Sequence, residues 1–388
     1  MVTAFPGVPV PSSLRGRTGL LLATLIAAAP ALRGQAVRLI TPELRLGEEF
    51  SDIRGVRELA DGRLLVSDYI DQRVVMVDAG LGSVSECVTE GGGPAEVRLA
   101  GRLLAMPGDS TLLVDIGNSR LMVLDPEGRP RRVLAAERPG LTGVRGVDGL
   151  GRLYFTIPGW AEGDQALAAD SLRLVRWDPA TDRTEQVAVV QGERMRSDIR
   201  APAMVPRIPI VGYGTSDAWV VAPNGVVRVV RGADYVVETV APGNPAVRGP
   251  RHGYETRAVT AADREAFVRD FLRSTPTSGR GPGGGMGFSP QPSDAEVAAM
   301  VARTEYAERH PMFRPGSVVA GPGGQVWVGR PARPDEPVSY DVFDAAGRAV
   351  RRVELAPGHR VALVTARGVY VIGEDADGVQ RLERHRLP

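Results

Sequence analysis

Six times along this chain the same order of residues returns: a turn bearing Gly or Asp, a short apolar strand, a second polar turn and another apolar strand. Asp61-Gly62 opens residues 63–68, which run on to 73–78, and Asp109-Ser110 opens residues 111–115, which run on to 120–124. The order recurs at 151–157 with 172–177, at 218–222 with 226–230, at 325–329 with 338–343 and at 368–373 with 379–385. A unit this small cannot bury its own sheet, so the copies must stack on one another. In the first two units, residues 53–59 and 83–89, and residues 101–106 and 131–135, add a first and a fourth strand. Four antiparallel strands per unit predict propeller blades, and the fold class expected is an all-β, six-bladed β-propeller.

The sixth unit stops at its third strand, while residues 37–46 hold Val37, Leu39, Ile40, Leu44 and Leu46 with no partner in their own repeat. The ring closes if this N-terminal strand completes the last blade, which also hides two sheet edges. One region, residues 241–315, breaks the period between blades four and five and predicts a helical insertion. Thr260 stands three residues before Asp263 as a variant capping box, and Phe267, Val268, Phe271 and Leu272 form one helical stripe. Ser293 and Glu296 repeat the cap ahead of Val297, Met300 and Val301. Between the two helices, residues 278–289 with Gly283-Gly284-Gly285 read as a flexible linker; no strand feeds them and no Lys follows, so they are not a phosphate loop.

The chain of 388 residues is 43% hydrophobic, enough for one large all-β domain or two ordinary ones. Its net charge is +1, from 47 basic and 46 acidic residues, so it sets up no global field for nucleic acid or anionic lipid. Every basic residue is arginine, which removes Schiff-base, phosphate-loop and Ser–Lys chemistry. Cys87 is the only cysteine, so no intrachain disulfide forms, and its strand-like setting makes it a small core hydrophobe. Arg15 and Arg17 precede an apolar run over residues 20–29 that is too short for a comfortable membrane span and reads as a secretory signal. Cleavage fits after Ala31 or after Ala36, giving a signal peptide over residues 1–36 and a propeller over 37–388. The expected location is exported, periplasmic or extracellular, with no membrane span after cleavage.

Alternating strand direction sorts the loops. Connections from strand two to three, and from strand four to the next blade, emerge on one face, here called upper. The long segments 89–100, 158–171, 192–207, 241–315 and 330–337 all fall there, and loops grow where they carry function. From this face the candidate ligand-binding residues are Trp160, Arg251, His252, Tyr254, Arg314 and Arg330. Guanidiniums around a pocket favour carboxylate, phosphate or acidic-sugar groups through paired hydrogen bonds.

These features together resemble the six-bladed β-propellers of the NHL-like and TolB-like superfamily, especially secreted bacterial members of unassigned function. Residues 90–97, Glu90-Gly91-Gly92-Gly93-Pro94-Ala95-Glu96-Val97, look like the Gly-rich loop such proteins carry after the first blade, departing from it at Ala95 and Val97. His310-Pro311-Met312-Phe313, followed by Gln325-Val326-Trp327-Val328, also resembles that group. The resemblance implies the fold and an exported location and no particular activity.

The function expected is a binding or interaction module for a protein, peptide or glycan. The alternative is a hydrolase or lyase working in the axial pocket, with or without a divalent metal. No cofactor is identified: Glu58, Asp68, Asn118, Asp148, Asp217 and Asn224 offer oxygens, and no spacing selects a set. Of the histidines, His310 precedes Pro, His385 sits in a strand, His252 and His359 lie in loops, and His252 alone is placed on the upper face. No catalytic residue is assigned. Asp68 with Arg73, and Asp115 with Arg120, share a spacing that reads as one ion pair bracing the same turn in successive blades.

Overall fold

The structure, a computed structural model, describes residues 36–135, 138, 140–158, 170–193, 210–274, 277–278, 286–287 and 292–387. Among them, blade one pairs Ile53–Glu58, Leu64–Asp68, Arg73–Val77 and Val84–Glu90 in antiparallel order. Blade two is Ala100–Ala105, Thr111–Asp115, Arg120–Leu124 and Pro130–Ala135; blade three is Gly146–Val147, Leu153–Pro158, Ser171–Asp178 and Arg183–Gln191. Blade four runs Ala218–Val221, Val227–Arg231, Val236–Val240 and Val247–Arg248, and blade five Val318–Ala320, Val326–Gly329, Val338–Phe343 and Ala349–Leu355. Blade six has His359–Thr365, Gly368–Glu374 and Gln380–His385, with Leu44–Arg45 as its outer strand.

The apolar runs of the second and third strands follow from burial on both faces. In blade one, Leu64, Val66, Val75 and Val77 point one way, into a core shared with Tyr370, Ile372 and Leu382 of blade six. Leu65, Val74 and Met76 point the other way, against Leu103, Leu113 and Met122 of blade two. The same sharing joins blades two and three through Leu112 and Phe155, three and four through Tyr154 and Trp219, four and five through Val230 and Phe343, and five and six through Trp327 and Val371. Each interface between neighbouring blades is therefore a hydrophobic core, and the ring of six is closed.

Closure uses the N-terminal segment, which divides in two. Leu44–Arg45 pairs antiparallel with Gln380–His385, placing Leu44 opposite Arg384, while Leu46 and Phe50 enter the core between blades six and one. Val37–Leu39 does not join blade six. It runs parallel to Ala349–Leu355 of blade five, with Val37 opposite Val353, and seats Leu39 in the core between blades five and six. Local patterning marks a strand but not its partner, and this pairing spans most of the chain.

Between blades four and five lie α1 (Ala261–Ser274) and α2 (Asp294–Val301). They pack through Val268, Val297 and Met300. Ser293 and Glu296 close a capping box on α2, and Thr260 and Asp263 make the reciprocal bonds on α1. Residues 283–285 and 1–35, which carry the expected linker glycines and the export signal, lie outside the described residues. Among the described residues no helix is long and apolar enough to cross a membrane. Cys87 packs partly buried against the core of blades one and two, where burial pushes its thiol pKa up.

Candidate functional site

The first strands of successive blades touch one another all the way round, so they form the inner wall of the ring. Two of these approaches are tight at glycines. A Cβ on Gly55 would stand 2.6 Å from the Leu103 amide nitrogen, and one on Gly146 would stand 2.5 Å from Val221 Cγ2. Four arginines occupy this wall: Arg54 in blade one, Arg102 in blade two, Arg145 just before the first strand of blade three, and Arg360 in blade six.

They open onto a cavity of about 1560 Å³. Its walls come from residues 49–54, 190–193 and 358–361, which lead into first strands, and from 70–71 and 329–334, which join second to third strands. These are upper-face segments. Helix α1 covers the mouth with Ala266, Phe267, Arg269, Asp270 and Arg273. It is held there by the Tyr213 hydroxyl, which donates to the Asp263 carbonyl at 2.6 Å, and by Arg273 Nη1, which is 3.3 Å from Glu374 Oε1 of blade six.

Beneath α1 the Asp263 side chain and His310 are both buried, with His310 Nε2 3.2 Å from Asp263 Oδ2. Burial alone would raise the Asp263 pKa, but the Thr260 hydroxyl and amide and the neighbouring imidazole outweigh it and hold the carboxyl well below the usual range. Burial pushes the His310 pKa down; the Asp263 carboxylate opposes this, while the Arg257 and Arg314 charges add to it. The His310 ring packs 4.4 Å, centroid to centroid, from Tyr213.

Most carboxylates around the cavity are already engaged. Asp52 accepts from Arg54 Nε at 2.7 Å, and Asp217 accepts from Arg231 Nη1 at 2.7 Å and from the Gln191 amide at 2.9 Å. Arg360 Nη2 donates to the Ile53 carbonyl at 2.6 Å and has no carboxylate in contact among the described residues. Arg102 and Arg145 have neither a hydrogen-bond acceptor nor an ion-pair partner among the described residues. Both side chains are wet, since they face the cavity, yet protein surrounds them. The lost solvation, together with the charges of Arg145 and Arg54, pulls the Arg102 pKa down to about 10. Lost solvation also lowers Arg145, against the opposing charge of Glu193.

Of the six residues expected to bind ligand, Arg314 and Arg330 line this cavity. Arg314 lies over the Tyr213 ring, 5.3 Å from its centroid. Arg330 is committed to buried Asp341, with Nη2 2.7 Å from Oδ2. Arg251, His252 and Tyr254 are outside the lining, at the outer edge of blade four. There Arg251 pairs with Asp234 at 2.8 Å, His252 Nε2 lies 2.9 Å from the Gly347 carbonyl, and Tyr254 packs beside Tyr235. Trp160 lies outside the described residues. His359, expected in a loop away from the upper face, instead begins a first strand and lines the cavity.

Of the six oxygen donors weighed for a metal, only Asp217 lines the cavity; Glu58 pairs with Arg367 at 2.9 Å and Asp148 with Arg152 at 2.7 Å. No group of three His, Cys, Asp or Glu side chains suited to a metal ion occurs among the described residues. The repeated ion pair is half present. Arg120 Nε meets Asp115 Oδ2 at 2.6 Å, but Arg73 turns to Glu48 at 3.0 Å and Asp68 accepts the Ser51 and Asp52 amides at 2.8 and 3.0 Å.

The inner arginines Arg54, Arg102, Arg145 and Arg360 were not singled out from the sequence. A signal for three of them exists: Arg54-Gly55, Gly101-Arg102 and Arg145-Gly146 each join arginine to glycine at the first strand of successive blades.

No family model matches this chain, and no curated protein matches it. Among solved structures it is similar to a calcium-binding protein, regucalcin, from Agrobacterium tumefaciens, at 12% identity and a TM-score of 0.44, covering 91% of this chain and 98% of that one. A gluconolactonase from Xanthomonas campestris aligns at 13% identity and a TM-score of 0.43, over 92% of this chain and 99% of that one. Virginiamycin B lyase from Staphylococcus aureus aligns at 9% identity and 0.42, over 88% and 97%. The chain is a six-bladed β-propeller. At these identities and scores the likeness is one of architecture and carries nothing about chemistry.

Proposed function

We propose that this protein is an exported binding module whose ligand occupies the axial cavity beneath α1. One observation carries the reading: an insertion foreign to the repeat lays five side chains over the mouth of a polar cavity that packing of the ring does not require. Roofed, concave spaces with a few convergent polar groups are where small ligands bind. Both expected cleavage points precede Val37, so either one leaves the two N-terminal strands in the ring.

The test is native mass spectrometry of the full chain purified gently from an exporting bacterial host. The expected result is a stoichiometric small-molecule adduct, lost when residues 261–301 are replaced by a Gly/Ser linker in a protein whose ring still melts cooperatively. A chain that carries no adduct and takes nothing from a small-molecule panel, with or without the insertion, overturns the reading. Turnover of the captured molecule would make the cavity an active site instead. Sequencing the mature N-terminus, and fractionating a tagged chain, checks export; an intact segment over residues 20–29 sinks it.

A further inference from the structure

The cavity's charge distribution says more than that something binds. Arg145, Arg102, Arg54 and Arg360 follow one another through blades three, two, one and six, an arc of guanidiniums along one side of the inner wall. Two of the four, Arg54 and Arg360, have acceptors from the protein. Arg102 and Arg145 have none among the described residues, although they are close enough to feel each other's charge. Both are open to the cavity, and like charges gathered on one concave wall attract an anion into it. A guanidinium presents a planar fork of donors that matches the two oxygens of a carboxylate or phosphate. Across the cavity, Arg314 also lacks a carboxylate partner among the described residues.

We propose that the ligand of this cavity is a compact polyanion with at least two oxyanion groups, one of them held between Arg102 and Arg145. This rests on the cavity being a binding site. A second oxyanion group falls to Arg360 or Arg314, whose free donors face the same space. A divalent cation is disfavoured on this wall by the same charges. A net charge of +1 gives no extended field for a nucleic acid or a lipid surface, so the ligand is a small carboxylate or phosphate compound.

The experiment is isothermal titration of the full mature chain, at low ionic strength, with citrate and with pyrophosphate as separate probes, and with acetate for comparison. Binding of one citrate or one pyrophosphate per chain is expected, and whichever binds more tightly names carboxylate or phosphate as the group. Arg102→Leu and Arg145→Leu should each weaken that probe by about tenfold or more. Arg183→Leu, which removes an exposed charge from the outer turn of blade three, should leave it unchanged. Without ligand, Arg102→Leu should melt no lower than the wild type, because the change relieves repulsion; a lower melting point would make Arg102 structural and overturn the proposal. Titrations in which citrate and pyrophosphate bind no better than acetate, or in which both leucine variants bind as the wild type does, also overturn it. If the co-purified molecule proves neutral and stays bound in Arg102→Leu, this inference falls while the binding module stands. Flat titrations together with no adduct remove both.

Discussion

Asp115 is fully buried and accepts from Arg120 Nε at 2.6 Å, from Asn118 Nδ2 at 2.9 Å and from the Arg98 amide at 2.9 Å. Arg120 in turn donates from Nη2 to the carbonyls of Gly93 and Glu96, at 2.7 and 2.6 Å, so the pair ties the glycine-rich loop to blade two. Asp115→Ala strands that guanidinium and should cost about 3 kcal/mol in urea unfolding, with anion binding in the cavity little changed. The equal spacing of Asp68 and Arg73 invited the same account, but Glu48 lies within reach of Arg73 and has no counterpart in blade two. Spacing fixes the geometry of a turn; the partner brought alongside by another segment decides where the charge goes. His310 shows a second residue-scale effect. Its pKa is depressed by burial, so the folded protein leaves it neutral where the unfolded chain, with an imidazole pKa of ~6.5, takes up a proton. Its contribution is complete above that value and is lost as the pH falls below it toward the lowered folded pKa. Melting temperature should therefore decline from pH 7 to pH 5, and His310→Gln should flatten that decline. Asp263, held low, gives up its own contribution only below about pH 4, where free carboxyls protonate.

At the scale of elements, strands and helices were legible because each is announced locally. Asp61-Gly62 and the run from Leu64 to Asp68 show a turn and a doubly buried strand, and Ser293 with Glu296 shows where α2 begins. The sorting of loops by strand direction also pointed to the mouth of the cavity that residues 329–334 and α1 line. The inner arginines escaped because polarity inside a strand ordinarily marks a solvent-facing position, and nothing local says that the solvent is the water of a central cavity. His252 lies outside the cavity lining, where the Asp344–Gly347 turn of blade five packs against it and its Nε2 lies near the Gly347 carbonyl. What fastens α1 is mainly apolar. The Arg273–Glu374 contact is half exposed on the arginine side, and such pairs contribute less than about 1 kcal/mol. Val268, wholly buried between the two helices, matters more. Val268→Ala should cost the insertion about 2 kcal/mol. Amide hydrogen exchange should then rise across α1 and α2 while the blade strands keep their protection; equal loosening of the blades would show that the lid and ring unfold as one unit.

For the whole molecule, the question is what keeps a ring of six weakly distinct units from opening. Neighbouring blades share cores of similar make-up, but the one between blades six and one differs in its covalent origin: Leu46, Phe50 and Ile53 come from near the start of the described chain, and Tyr370, Ile372 and Leu382 from near its end. The backbone bonds from Leu46 to Leu382 at 2.9 Å and between Phe50 and Gln380 at 2.9 and 2.8 Å fasten the same seam. Val37–Leu39 adds a second clasp one blade further back, on blade five, so the N-terminal segment spans the junction between blades five and six as well. Removing residues 36–47 would strip Leu39 and Leu46 from two cores and bare the outer edge of the Gln380–His385 strand, which then becomes a template for pairing with another chain. The truncated protein should lose its single cooperative thermal transition and gain concentration-dependent association, measured by calorimetry and light scattering. Leu46→Ala is the milder version, costing about 3 kcal/mol through the cavity it leaves while keeping the strand and the single transition. If the truncation behaves like the point variant, the seam between the ends is held by its remaining core alone, and the N-terminal strands serve only to cover an edge.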